Sequence, residues 1–387
     1  MFIPSLPIMI TITVLLVLAL VTPFFCPFFR KVREEEPVAT PPKPISIILT
    51  VHDESQYLEE VVNAYLSQQY DADYQLVVVV DETDAASLDI LKRVGDNERL
   101  YYTKLPTSSR YLSRKKLAIT IGLRAAKYEW CALVNVNSMP RDDQWLKNFA
   151  SHISDDVNLV IGITPFPSET SAYYRYDHLR TMLYHLRTAQ RGTAFSTNQS
   201  LLALRKDDFF AQQGFSGSLE YQRAEFEHMV NKLAEEGRTA LAIEPQAWLP
   251  LRKPTAKQWL YRHMHCIDSL KVMKRVMPFR LLYHFDLWVM HLFNLLVLIT
   301  LAYGVYLLLS AEQQPSWDGI VLTSAAVVAW LLSIVIRCCI YAPVLRRFKN
   351  VHPITAVILD WFVSWRNLSV RLSYLNTDKY DFMTHRL

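Results

Sequence analysis

The sequence predicts an α/β domain, a mostly parallel sheet flanked by helices, with transmembrane helices at both ends of the chain. Three observations predict it. Long uncharged apolar runs lie near both termini, continuous β-branched runs mark a charge-balanced middle, and stretches of helical spacing separate those runs.

The first apolar run, Leu6 to Phe25, carries no charge. Twenty residues at about 1.5 Å each cross a hydrocarbon core of about 30 Å. No basic residue precedes Arg30, and the run ends in Pro and Phe rather than small residues. A retained anchor is therefore expected, not a cleaved signal peptide. Two further spans, Leu287 to Leu309 and Ile320 to Tyr341, are joined by a connector with Glu312 and Asp318 and no Lys or Arg. Arg30, Lys31 and Arg33, then Lys271, Lys274, Arg275 and Arg280, then Arg346, Arg347 and Lys349 lie on the opposite flanks. The positive-inside rule puts the N-terminus and the connector outside and the middle inside. The expected location is a membrane crossed several times, with the globular part cytoplasmic. Arg337 is expected to snorkel or face the bundle. Val351 to Leu375 mixes aromatic and charged residues, as a helix lying in the interface does.

Between the spans, EEEPVATPPKP forms a Pro-rich spacer. Pro44 to Val51 reads as a strand buried on both faces, and Glu54 to Gln69 has helical spacing. Gln75 to Val80 is a second buried strand, Lys115 to Lys127 an amphipathic helix, and Trp130 to Val134 a further strand. This βαβα order implies ligands outside the carboxyl ends of the strands. Polar residues gather there: His52, Asp53 and Glu54, then Asp81, then Asn135 and Asn137. Any single acid there can equally cap the next helix; three strand ends agreeing is harder to dismiss.

Composition narrows the function. With 41 Lys+Arg against 37 Asp+Glu the chain lacks the basic footprint of a nucleic-acid binder. Five cysteines form no CxxC, so reduced structural thiols are expected. Nine glycines and the lack of GxxxxGK[ST] and GxGxxG exclude a Gly-rich phosphate cradle. One charge within the spans is too few for a conventional transport path. His263, His265 and Cys266 lack the second cluster a zinc site needs. Trp259 to Met277 is expected along the membrane surface. The aromatic stretch Tyr173, Tyr174, Tyr176 and Tyr184 with His178 and His185 either stacks on sugar rings or packs as core.

ISIILTVHDESQYLEEVVNAYLSQQY, LVVVVDETD, KKLAITIGLRAAKYEW and LLALRKDDFFAQQGFSG together resemble family 2 glycosyltransferases, inverting enzymes of GT-A fold. The likeness runs from about Pro44 to Met273, and the membrane segments suit bacterial membrane-anchored members. It implies a nucleotide-sugar donor, with Glu54 and Asp81 on its base and ribose and Lys115, Lys116 and Asn135 at the nucleotide. It implies a base at Glu225 or Glu227, and acceptor or gating roles for Arg262 and His265. The chemistry motifs depart from the family's pattern. Asn135-Val136-Asn137 stands at the metal-binding Asp-x-Asp, and neutral amides disfavour Mg or Mn as cofactor. Arg262-His263-Met264-His265 stands at Gln-x-x-Arg, and Thr197 and Gln199 stand where glycines are expected.

Two readings follow. In one, a membrane-bound transferase moves sugar with inversion to a lipid-linked or polysaccharide acceptor without a metal, Arg110, Arg114, Lys115 and Lys116 neutralising the diphosphate. In the other, a catalytically silent relative is a binding or scaffold subunit of glycan assembly. If Glu225 and Glu227 are helical, at most one is expected to face the site. The expected organisation is an anchor over 1–33, a linker over 34–43, the GT-A-like domain over 44–255 and an interfacial segment over 256–282. A transmembrane hairpin over 283–345 and an interfacial helix with tail over 346–387 complete it.

Overall fold

The structure, a computed structural model, describes residues 5–29, 32–33, 41–51, 55–95, 97–106, 113–221, 223–311 and 316–377. It divides into two compact units. One comprises Met1–Lys31 and Met277–Leu368, the other Val32–Val276 and Ser369–Leu387.

The larger unit is built on a seven-stranded sheet. Strands β1 (Ile45–Thr50), β2 (Tyr74–Asp81), β3 (Leu100–Leu105) and β4 (Trp130–Asn135) are parallel, joined through α2 (Ser55–Leu66), α3 (Ala85–Val94) and α4 (Arg114–Ala125). After α5 (Trp145–Ala150) come β5 (Leu159–Gly162), α6 (Ala172–Arg191), β6 (Leu202–Arg205) and α7 (Lys206–Ala211). Helix α8 (Glu225–Leu233), β7 (Thr239–Ala242) and α9 (Ala256–Ser269) complete it. The strand order is β3-β2-β1-β4-β6-β5-β7. The chain moves outward from β1 to β3, then returns to β4 on the other side of β1. That reversal opens a crevice at the carboxyl ends of β1 and β4.

The apolar runs of β1, β2 and β4 are buried along nearly their whole length because helices cover both faces. Ile45, Ile47, Leu49, Leu76, Val78 and Val80 pack with Leu58, Val61 and Val62 of α2 and Leu88 and Leu91 of α3. On the other face α4 comes so close that a Cβ on Gly122 would lie 2.5 Å from Ile48 Cγ2 and 3.2 Å from Val79 Cγ2. Strands β4 and β5 each pair antiparallel with β6, and β5 pairs parallel with β7. So β5 and β7 run in the direction of β1–β4, and their ends share one edge of the sheet with the start of β6.

Among the described residues the smaller unit holds three helices long and apolar enough to cross a membrane, Leu6–Phe25, Val276–Leu309 and Trp317–Arg347. The first is α1 (Leu6–Val21) and its terminal turn; the others are α10 and α11. Helices α10 and α11 meet at Gly304 and Gly319, where a Cβ on Gly319 would lie 2.8 Å from the Gly304 carbonyl. Small residues permit this approach in an apolar hairpin. Arg337 faces the bundle: its Nη1 lies 3.7 Å from Asp360 Oδ2 of α12 (Pro353–Asn376) and donates to Tyr341 Oη, which donates to the same carboxylate. Ile354, Ile358, Phe362 and Trp365 line the exposed side of α12. All five cysteines are free thiols.

Gly122→Ala would force its methyl against Ile48, and overpacking of this kind costs about 1–3 kcal/mol. Thermal unfolding of the detergent-solubilised chain should show the corresponding drop, larger than that for Gly192→Ala, whose Cβ would meet nothing within 4 Å.

Candidate active site at the carboxyl edge of the sheet

Of the polar residues that the sequence places at strand ends, Asp81 and Asn135 end β2 and β4, while His52 and Asp53 lie outside the described residues. Asp81 is buried. It does not cap α3; Asp84 does, accepting from the Ser87 amide. The Asp81 carboxylate is held from two sides. Oδ1 accepts from the amide and hydroxyl of Thr83, and Oδ2 lies 2.9 Å and 2.7 Å from Nε and Nη2 of Arg114. Burial alone would raise its pKa, but Arg114 and the Thr83 amide outweigh burial and hold it below the usual carboxylate range. Glu54 and Arg110 lie outside the described residues.

Lys116 is a buried cation, 1 % exposed. Its place on α4 is set by Ser113, whose Oγ accepts from the Lys116 amide and caps the helix. The ammonium donates to the carbonyls of Ser218 and Tyr221, each at 2.6 Å. Burial pulls its pKa down to about 8, with Glu225 and Glu227 opposing the shift. These two bonds bring the segment before α8 to the carboxyl edge of the sheet. Lys115, next to it, lies 5.7 Å from the Phe226 ring.

Helix α8 opens from Ala224, in the left-handed region at φ 67°. Glu225 and Glu227 occupy its first turn. Glu225 is buried and Glu227 half-buried. Both feel Lys115, so the start of the helix brings both carboxylates toward one cation despite their two-residue spacing. Their environments differ. For Glu225 burial would raise the pKa, but Lys115 and Arg223 win and hold it low. For Glu227 burial wins and raises it, against Arg262.

Asn135 ends β4, and its carbonyl accepts from the amide and hydroxyl of Ser138. The Asn137 carbonyl accepts from the Arg252 amide. The turn is thus stitched to the segment leading into α9. The residues offered to a divalent cation here are two neutral amides, a poor fit to hard-cation chemistry. Among the described residues no three His, Cys, Asp or Glu side chains gather as a metal set.

Helix α9 closes the far side. Thr255 and Gln258 form its capping box. Arg262 donates to the Asn198 carbonyl. His263 Nε2 lies 2.8 Å from Asp177 Oδ2 on α6, and Trp259 stacks on Tyr174 at 4.8 Å. His265 is buried, and burial with Arg223 nearby brings its pKa to about 4. Tyr176, Tyr184, His178 and His185 are core residues of α6. His178 Nε2 lies 3.0 Å from the Thr164 carbonyl, and Gln199 Oε1 accepts from the Thr164 amide and hydroxyl. Gln199 thus uses its side chain to fasten the end of β5 to the start of β6.

Sequence reasoning overlooked Arg223 and His228 as site residues and cast Arg114 as a diphosphate ligand rather than a partner of Asp81. His228 stands one helical turn after Glu225, a spacing that puts both on one face of α8; that signal was available. Lys116→Met would strand the carbonyls of Ser218 and Tyr221. At about 1–3 kcal/mol for each unsatisfied buried group, the segment 215–221 should become cleavable in limited proteolysis well below the global unfolding temperature.

Residues 46–212 match the family model "Glycosyl transferase family 2". No curated protein matches the chain in sequence. Among solved structures, the mannosyltransferase PcManGT from Pyrobaculum calidifontis, in complex with GDP-Man and Mn2+, is similar with a TM-score of 0.53 at 13% identity. The match covers 92% of this chain and 99% of that one, and at this identity it is a likeness of fold. Residues 1–349 of S. aureus TarS match with a TM-score of 0.44 at 13% identity, over 87% of this chain and 93% of that one. The family match lies on β1 through α7, the stretch that builds the crevice, so this chain carries a family 2 glycosyltransferase domain of GT-A-like fold.

Proposed function

We propose that the protein is a membrane-bound inverting glycosyltransferase that moves a sugar from a nucleotide-sugar donor to a lipid-linked or polysaccharide acceptor, without a resident metal. The observation that carries this reading is the split between two carboxylates in one helical turn. Where environments push two acids apart, their roles divide. Glu225, held low by Lys115 and Arg223, stays charged; Glu227, raised by burial, suits a general base.

In this reading Glu227 takes the proton of the acceptor hydroxyl. The acceptor oxygen attacks the anomeric carbon from the face opposite the diphosphate, the bond from that carbon to the phosphate oxygen breaks, and the configuration inverts. The leaving diphosphate is neutralised by fixed positive charge. Of the four cations expected there, Arg114 is engaged by Asp81 and Lys116 by two carbonyls, while Arg110 lies outside the described residues. In this reading Lys115, at the start of α4, and Arg223, before α8, share this role, because both cations act on Glu225 at the same edge. PcManGT was solved with Mn2+; here the two amides at Asn135 and Asn137 favour a cation-free site. The basic flanks of the three spans support a cytoplasmic domain on a bacterial inner membrane, beside the pool of activated sugars.

One observation favours a second reading, a binding or scaffold subunit of glycan assembly. The Asp81 carboxylate already accepts from Arg114 and Thr83, so a nucleotide base must displace a partner to reach it.

Titrating the purified chain with UDP, GDP and their sugars, with and without Mn2+, while following nucleoside diphosphate release, separates the readings. Turnover indifferent to Mn2+ is expected. Glu227→Gln should lower it about 10²–10⁴-fold. Activity should fall on the acid side at a pH above the ordinary glutamate range, because the base must be deprotonated and its pKa is raised. Nucleotide binding without turnover would support the scaffold reading, and no binding at all would sink both.

A further inference from the structure

Two atoms on the inner face of α8 stand out. Glu225 is 4 % exposed and His228 7 % exposed, and neither Glu225 Oε1 nor His228 Nε2 has a hydrogen-bond partner among the described residues. Buried polar atoms are almost always paired, and each left unpaired costs about 1–3 kcal/mol. The two residues are three apart on one helix, so their side chains are neighbours. A carboxylate oxygen only accepts, whereas an imidazole nitrogen accepts or donates according to its tautomer. With Nε2 protonated, the group that satisfies both donates to the carboxylate oxygen and accepts from the imidazole N–H, as a single hydroxyl does.

The surroundings say which hydroxyl. The His228 ring lies 5.8 Å from that of Tyr221, whose carbonyl receives the buried Lys116 ammonium. Glu225 has Lys115 and Arg223 as its strongest charged neighbours. Cations at this edge are where a diphosphate would lie, and the sugar ring attached to it is the first hydroxyl-bearing group within reach. We propose that Glu225 and His228 form a binding site for one ring hydroxyl of the donor sugar. This rests on the transferase reading above and deepens it. Glu225 then recognises substrate, Glu227 alone moves the proton, and sugar selectivity resides partly in His228. Both unpaired atoms become satisfied only when the sugar is bound, so part of the donor's affinity comes from relieving them.

The test uses the full-length chain in detergent, with UDP-glucose, UDP-galactose, UDP-N-acetylglucosamine and GDP-mannose as probes against UDP and GDP alone. Calorimetry should show His228→Phe weakening the preferred nucleotide sugar about tenfold or more, with the bare nucleotide changed by less than about twofold. Glu225→Gln should act in the same direction, and His228→Gln, which keeps a polar atom near the site, should recover part of the loss. Because His228→Phe removes an unpaired atom, its melting temperature without ligand should stay level or rise. Equal losses for sugar and bare nucleotide, or no loss for either, would overturn the assignment. So would a lowered melting temperature for His228→Phe with unchanged sugar binding, the result expected if the group only holds a fixed water. Failure of the wild-type chain to bind any probe overturns the transferase reading and this site with it. Normal wild-type binding with insensitive variants overturns this site alone.

Discussion

The arrangement of the carboxyl edge depends on the ammonium of Lys116. The core of the sheet is ordinary hydrophobic burial and would form without it. The segment from Phe215 to Tyr221, however, has no strand to join and must be held by something other than a ladder. Two short bonds from the Lys116 ammonium hold the segment's far end, while Lys232 donates to the Ser216 carbonyl nearer its start. A lysine taken out of water is costly unless its donors are used, and here two of three go to carbonyls that would otherwise be orphaned. Fixing those carbonyls fixes the start of α8, and with it the spacing of Glu225, Glu227 and His228 relative to the strand ends.

That dependence explains how two adjacent acids acquire different chemistry. Glu225 faces the cations of α4 and of the segment before α8, and their attraction exceeds its desolvation. Glu227 meets chiefly burial and the guanidinium of α9. The same fold element therefore supplies one acid held below the usual carboxylate range and one held above it, from a separation of two residues at a helix start. Asp81 shows the complementary case, a carboxylate whose acceptor capacity is already filled by Arg114 and Thr83. Any further donor reaching Asp81 must therefore displace Arg114 or Thr83.

Much of the fold was legible in the sequence because burial on both faces writes itself as unbroken apolar runs; β1, β2 and β4 were readable for that reason. Strand β3, LYYTKL, sits at the sheet edge with five of its six residues partly or fully exposed and carries no such run. Strands β5, β6 and β7 have four residues each, too few for a period to show. In the site, the type and spacing of the acids were readable, but the partners were not. Arg114 and Asp81 stand 33 residues apart, and Lys116 reaches more than a hundred residues along the chain. Such pairings are set by the return of the chain across β1, which no local pattern encodes. Lys116 was no more legible: expected at the diphosphate, it donates to two carbonyls instead.

The apolar unit follows the same logic with a different solvent. Arg337 interrupts a helix otherwise apolar enough to cross a membrane, and a lone guanidinium in hydrocarbon is expensive. Asp360 and Tyr341 answer it from inside the bundle, so the charge is matched without reaching for water. Matching is directional: the carboxylate lies on α12 and the tyrosine on α11, so the pair fixes the rotation of α12 about its own axis. That rotation leaves Ile358, Phe362 and Trp365 outward in one apolar stripe. A helix so oriented can rest its stripe in a bilayer interface while its one buried acid stays paired. In both units a single buried cation selects one arrangement among several that apolar packing alone would permit.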